Sequence, residues 1–581
     1  MMFVIGKCPF VICRLTIMGL LVSSLLVGQV RAAIDAGSVL QQIDAERSEW
    51  RKPPERPDRE AQDPERVPES GGVEVMVNEV VFEGNTNINT EVLQELFAPF
   101  LGKAYTFSGL KNLILMIGEL YRSEGLWARG VLPDQTLEDG VLRILVVEGE
   151  LGSLIIEKID DDIRFSEERA RDIILRGQTE GEVFKIGEFS KSMQNLDAVP
   201  GITAGAVLRA GKQEGETDLI VKMASTSLFS GNARIDNHGG RATSWDHGAR
   251  FIGLLNSDSP FGFGEQFNFQ TIQTDGVQLY SGGLTWLVDD SGSTATASYS
   301  KMYYEVGAPL ESVGASGDST VINFGYARSL YGGENFVMNG RLDFNNKEFF
   351  NEAGADLILS EKEVNSFSAS LTSSWQDELF QQGFNAWALI YTAGDLDLGL
   401  TPSNLATDQA GPRTQGGYGK VMLSIGRQDL IGEKNTLGLN LLAQLSNNNL
   451  DSSEKISLGG PTAIRAYPGG EASGDHGATV QLQFQRQLSE KSNAAVFYDH
   501  GWIQLNHDAF DGFNSADPSQ TNNYELNGYG VSYTWMSENA LEFNVMLANR
   551  LRANPAPDAA GNDSDGTKKT PRLWLSLTQQ F

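Results

Sequence analysis

Cysteine is almost missing from this chain: Cys8 and Cys13 are the two among 581 residues, and both fall before residue 33. Beyond that point no disulfide and no thiolate–metal centre can form, which suits a chain that waits unfolded in an oxidising compartment. Histidine is scarce as well. His238, His247, His476, His500 and His507 are scattered, with no pair at metal-ligand spacing on a predicted helix, so no metal site is expected. His476 and His500 read instead as rim or lumen residues. A Gly-x-Ser-x-Gly elbow and a Walker loop are missing, and the many carboxylates form no recognisable acid–base pair. No catalytic residue, no cofactor and no enzymatic activity are expected from this inventory. Basic residues are few: 45 Lys and Arg against 75 Asp and Glu give a net charge of -30. That balance argues against nucleic acid as a partner, because phosphates demand clustered cations.

Long apolar runs are also missing, with one exception at residues 15–27, preceded by Lys7 and Arg14 and followed by Val30-Arg31-Ala32. A basic start, a short apolar stretch and small residues at its end read as a secretory signal peptide over residues 1–32, or alternatively as a retained anchor helix. No other stretch could cross a bilayer as a helix. A hydrophobic fraction of 40% and a mean hydropathy of -0.24 would suit a water-soluble protein equally well. Composition alone therefore misses the membrane.

What the chain does have, over residues 226–581, is alternation. In Phe267-Asn268-Phe269-Gln270 the rings share one face, and in Val480-Gln481-Leu482-Gln483-Phe484-Gln485 three glutamines share the other. The stretches 366–372 and 541–545 repeat the pattern, and the terminal one places Leu573, Leu575, Leu577 and Phe581 on one side. Successive strand residues face opposite ways, so a wall between lipid and water must alternate in this manner. The spacing predicts a transmembrane β-barrel of about 16 antiparallel strands, at about 22 residues each with connections.

Ahead of it, residues 33–49 carry Ile34, Val39, Leu40 and Ile43 at helical spacing with polar residues between, which predicts an amphipathic helix. Residues 50–72 hold five prolines among mixed charges and form a linker. Residues 73–150 and 151–225 then each read as a small α+β module, with strands at 75–82, 126–132 and 142–147 in the first and at 155–159, 203–208 and 217–223 in the second. Helices fall between them at 90–100, 108–124, 167–175 and 186–196.

Four phrases in the first of these modules, Tyr121-Arg122-Ser123-Glu124-Gly125, Leu132-Pro133, Asp139-Gly140 and Val147-Glu148-Gly149, resemble the POTRA domains of two-partner secretion transporters. In the barrel, Ile464-Arg465-Ala466-Tyr467 resembles the Val-Arg-Gly-Tyr signature of that superfamily's sixth extracellular loop. Ala466 stands where glycine is usual, which bears on any turn there that needs a positive φ. Phe497-Tyr498-Asp499-His500-Gly501 matches the family's Phe-x-Asp-x-Gly strand motif. The resemblance implies that Arg465 folds back into the lumen and pairs with Asp499. Residues 234–239 are similar to the family's first strand and hairpin, and no chemistry is assigned to them.

The resemblance further implies an outer-membrane transporter of a Gram-negative bacterium, with its POTRA domains in the periplasm. A secreted exoprotein would be its partner, taken up unfolded at a sheet edge, with 203–208 and 126–132 as candidate edges. The helix 33–49 would plug a wet lumen at rest. Outer-membrane lipids and lipopolysaccharide would surround a monomer, and barrel-assembly machinery would read the terminal strand ending on Phe581. An assembly or insertion factor of the same superfamily is the alternative reading, and a passive porin a third.

Overall fold

The computed structural model describes residues 35–47 and 74–581, apart from 134, 136–138, 214, 241–247, 308–313, 334–335, 355–356, 515–519 and 559. The expected signal peptide and proline-rich linker lie outside the described residues. Helix α1 (Ala36–Arg47) comes first. The first module follows with β1 (Val75–Val77), β2 (Glu79–Glu83), α2 (Thr90–Phe97), β3 (Lys103–Tyr105), α3 (Phe107–Ser123), β4 (Ala128–Val131) and β5 (Val141–Glu148). Its main sheet runs β2-β5-β4, with β2 and β5 parallel. Leu110, Leu113, Ile114, Ile117 and Tyr121 turn one stripe of α3 onto that sheet, as their helical spacing predicts. Thr106 caps the helix by accepting from the Gly109 amide, and Gly125 beyond its end takes a φ of 76°.

The single strand expected at 75–82 is in fact two. Both the Asn78 and Glu79 amides donate to the Gly140 carbonyl. That shared acceptor breaks the ladder and frees β1 to pair with β3, a strand too short to show in the sequence pattern. The second module comprises β6 (Glu150–Lys158), α4 (Glu167–Ile174), α5 (Ile186–Asp197), β7 (Ile202–Ala210) and β8 (Glu216–Ser225), in the order β6-β8-β7.

Sixteen antiparallel strands then close into a barrel: β9 (Phe229–Asp236), β10 (Arg250–Asp258), β11 (Gln266–Gln273), β12 (Val277–Leu287), β13 (Thr294–Glu305), β14 (Ala315–Gly332), β15 (Phe336–Ala353), β16 (Leu357–Asp377), β17 (Gln382–Asp397), β18 (Gly416–Ile431), β19 (Asn435–Ser446), and, after two short strands β20 (Ile456–Ser457) and β21 (Ser473–Gly474), β22 (His476–Ser489), β23 (Ser492–Gln504), β24 (Asn523–Met536), β25 (Leu541–Arg550) and β26 (Arg572–Gln580). The number matches the expected one. Helix α6 (Pro402–Ala410) lies in the connection between β17 and β18.

Phe267, Phe269, Leu482, Phe484, Leu573 and Leu577 all remain exposed on the barrel's outside. An apolar surface of this extent belongs in lipid. The seam between β9 and β26 is short, from Ser576↔Asp236 to Gln580↔Asn232. Phe581 completes it, exchanging backbone hydrogen bonds of 3.0 and 3.1 Å with Gly231.

Candidate functional site: a loop and a helix inside the barrel

Residues 447–475 leave β19, fold into the lumen and return at β22, with β20 and β21 pairing at their base. A charged group carried inward by such a loop must find partners on the wall, since a buried, unpaired guanidinium is costly. Arg465 finds them on two neighbouring strands. Its Nη2 donates to Asp499 Oδ1 at 2.7 Å, its Nε to Asp499 Oδ2 at 3.0 Å, and its backbone amide to the same Oδ2 at 3.0 Å. Nη1 donates to Gln483 Oε1 at 2.8 Å, and the guanidinium lies 3.5 Å from the Phe497 ring centroid. Asp499 is fully buried and Arg465 nearly so. This forked, planar arrangement is one that lysine could not reproduce.

Strand periodicity explains the Phe-x-Asp-x-Gly spacing. Residues 497, 499 and 501 share the inward face of β23. Phe497 lies against the guanidinium, Asp499 accepts from it, and Gly501 leaves room for Ile464 and Leu458, either of which would sit 3.1 Å from an added Cβ. His500 alternates with Asp499 and Gly501 and so belongs to the barrel's outer face, not to its lumen. The left-handed positions of the loop are Gly460 and Gly470, so Ala466 serves where no positive φ is needed. Its methyl group has a counterpart: a Cβ on Gly528 of β24 would come within 2.5 Å of Ala466 Cβ.

Other anchors of the loop escaped the sequence reading. Trp574 Nε1 donates to the Arg465 carbonyl at 2.7 Å, and Gln481 Nε2 to the Ala463 carbonyl at 2.8 Å. Arg550 lies 4.5 Å from the buried Tyr467 ring centroid, donates to the Ala466 carbonyl and pairs with Asp563. Gln481 and Gln483 were legible as inward-facing, but not as ligands of a loop 18 residues away in sequence. The hairpin residues 234–239, given no chemistry above, also prove organised. Asp236 accepts from Arg250 Nε at 2.7 Å and faces Arg234 Nε at 2.8 Å, while His238 packs edge-on against Trp574. The Asn237 side chain extends the seam, accepting from the Leu575 amide at 2.7 Å and donating to the Leu573 carbonyl at 3.0 Å. His476 and His507, far apart in sequence, meet at 2.9 Å. Among the described residues no group of three metal-ligating side chains comes together.

The second lumen occupant is α1. Ala36, Val39, Leu40 and Ile43 are buried in one cluster with inward-facing residues of β10–β18. The lumen, expected to be wet, is apolar where it receives the helix. At the helix start Asp35 accepts from the Ser38 amide at 2.8 Å, from Lys362 Nζ at 2.9 Å and from Ser452 Oγ at 2.8 Å. Lys362 also pairs with Asp451 at 2.8 Å.

In the first module the two phrases around Tyr121 and Glu148 meet. The Glu148 carboxylate accepts from the Thr86 and Asn87 amides, both at 2.8 Å, from Tyr121 Oη at 2.7 Å and from the Thr86 hydroxyl. Partial burial alone would raise this carboxyl, but these donors outweigh it and hold the group below its usual range. Burial, reinforced by Glu148, pushes the Tyr121 phenol up. The motif thus ties the β2–α2 connection to the end of β5. The candidate edges β4 and β7 each pair on one side only.

A family model described as haemolysin secretion/activation protein ShlB/FhaC/HecB matches residues 215–515, and one described as POTRA domain, ShlB-type, matches residues 75–149. The heme/hemopexin transporter protein HuxB of Haemophilus influenzae is 22% identical over 510 residues, covering 87% of this chain and 86% of the relative. The outer membrane transporter CdiB of Escherichia coli is 21% identical over 449 residues, covering 74% of this chain and 73% of the relative. Among solved structures, CdiB from Escherichia coli superposes with a TM-score of 0.70 at 17% identity, covering 94% of this chain and 99% of that one. CdiB from Acinetobacter baumannii gives 0.62 at 15%, again over 94% and 99%. BamA from Haemophilus ducreyi, lacking POTRA domains 1–3, gives 0.51 at 13%, covering 88% and 100%.

Proposed function

This chain belongs to the haemolysin secretion/activation protein family of ShlB, FhaC and HecB, and from that premise we propose that it exports a partner exoprotein across the outer membrane. The observation that carries the proposal is the lumen itself. It holds a loop fixed through Arg465 and Asp499 and a separate helix, α1, joined to the modules by residues outside the described set. A passive porin has no use for either occupant or for the modules below. An insertion factor would share the barrel, but the ShlB-type match favours the exporter.

In this reading the unfolded passenger docks first on a module edge, where β4 or β7 offers backbone donors and acceptors with little demand on sequence. α1 then leaves the lumen and the passenger passes through. The sequence holds no Walker loop, and in this reading folding of the passenger outside supplies direction. The barrel works as a monomer among lipid and lipopolysaccharide, inserted by assembly machinery that reads the terminal strand ending on Phe581. The test is secretion. An exoprotein encoded beside this chain should reach the medium from cells that carry the chain and stay behind in cells that lack it. Equal secretion from both would remove the proposal.

A further inference from the structure

The inner wall of a water-filled barrel is ordinarily polar, with apolar residues turned to lipid. Here an apolar belt crosses it. Ile252, Ile272, Leu279 and Met302 lie directly opposite one another across β10, β11, β12 and β13, each at most 3% exposed. Residues paired in this way share one face of the sheet. On β16 and β17 the pair Val364 and Leu396 belongs to the same cluster, into which α1 also packs.

The belt runs around more of the wall than the helix alone spans, and Leu398 and Leu450, from connections inside the barrel, pack into it beside α1. Its buried apolar residues come from β10 to β13 and from β15 to β18, with the partly buried Val321 of β14 between, and at about 4.8 Å between strands these nine strands span roughly 38 Å of wall. A 12-residue helix is roughly 18 Å long and about 10–12 Å across. The electrostatics point the same way. When α1 leaves, Lys362 loses Asp35 but keeps Asp451 at 2.8 Å, so no buried charge is stranded. What the departure does uncover is apolar surface in a wet lumen, and only another apolar occupant offsets that.

We propose that the belt grips the passenger in transit: α1 covers it at rest as an internal stand-in, and an unfolded polypeptide segment bearing bulky apolar side chains replaces α1 there during export. The inference rests on the export reading above and adds to it the binding surface and the chemistry of the bound segment. Apolar residues of the passenger, not its charges, then set how firmly it is held within the barrel.

Two measurements on the full-length chain test this. In the first, Leu279→Asn and Met302→Asn are combined, which makes the belt polar with the number of side-chain heavy atoms unchanged. The expected result is a higher resting conductance in planar bilayers, because α1 is held less firmly, together with a several-fold loss of exported passenger from cells whose outer membrane holds normal amounts of the heat-modifiable barrel. Raised conductance with undiminished export would overturn the proposal, leaving the belt as a seat for α1 alone. In the second, a photo-reactive side chain replaces Leu279, or outward-facing Tyr280 as the control, while a passenger is stalled in the barrel. Position 279 should crosslink to α1 at rest and to the passenger during export, and position 280 to neither. Crosslinks from 279 to α1 or lipid alone, with passenger stalled, would also overturn it. Failure of the unsubstituted chain to export anything is a separate result, which strikes the export reading before any belt variant is made.

Discussion

The loop bearing Arg465 and the helix α1 share one lumen, yet they are held there by opposite chemistry. The loop is fixed by directional contacts: a forked guanidinium–carboxylate pair, an aromatic ring 3.5 Å from the guanidinium, and Trp574 bonded to its backbone. Removing either charged member strands the other. The helix is held mainly by apolar packing, and the ionic contact at its start, Asp35 to Lys362, has a substitute ready in Asp451. Apolar packing is non-directional and can be remade with another partner. A buried ion pair cannot be opened without a large penalty. Under the proposed export, the difference separates a lumen element suited to stay from one suited to leave.

The sharpest way to break this contrast is to disturb the fixed element. Asp499→Ala should cost about 3–5 kcal/mol of loop anchoring, because it leaves Arg465 buried without its carboxylate. Export should be lost and the loop should become open to added protease. The exchange Arg465→Asp with Asp499→Arg should restore more export than either single change, and a double variant no better than the worse single one would remove the pair from the mechanism.

A smaller effect is expected on the other side of the same loop. Gly528→Ala forces a methyl group against Ala466 and should cost about 1–3 kcal/mol by overpacking. Adding Ala466→Gly should recover export, and failure of that rescue would show that the two positions do not act through each other.

For the removable element, deletion of residues 33–49 should raise single-channel conductance without loss of barrel assembly. Lys362→Met should raise it less, since the apolar seat remains while Asp35 loses its cation. Unchanged conductance in the deletion would falsify the plug.

The smallest effect lies outside the barrel. The Glu148 carboxyl is held below its usual range by hydrogen bonds in the folded module. Its contribution to stability is therefore complete above the unfolded-state value near 4.3 and is lost as pH falls toward and through the lower folded value. Calorimetric unfolding of the modules in the full chain should lose stability below about pH 4, and Glu148→Gln should flatten that slope.

Much of this was legible in the chain because period-two alternation is a local property. Phe267 and Phe269 announce a lipid face wherever they fall, and strand number follows from length. The Arg465–Asp499 pair was legible through resemblance alone, since nothing local joins residues 34 apart. Gly528, Arg550 and Trp574 were not legible at all. Each acts through cross-strand register, which is fixed only once the barrel closes. The apolar belt was hidden for the same reason: Ile272 and Leu279 look like ordinary strand residues until pairing places them on the inner face.

The central claim is that α1 must leave while the anchored loop stays, and a reversible lock on the helix tests it most directly. A Cβ on Gly37 would stand 3.0 Å from Ser453 Cβ and 2.9 Å from Ser452 Oγ, so Gly37→Cys with Ser453→Cys forms a disulfide once the helix backs off to a Cβ–Cβ separation of about 3.8 Å. With the bond formed, export should stop and conductance should stay at its resting level, and a reductant should restore export and the opening that accompanies it. Undiminished export through chains in which that disulfide is verified intact would contradict the account.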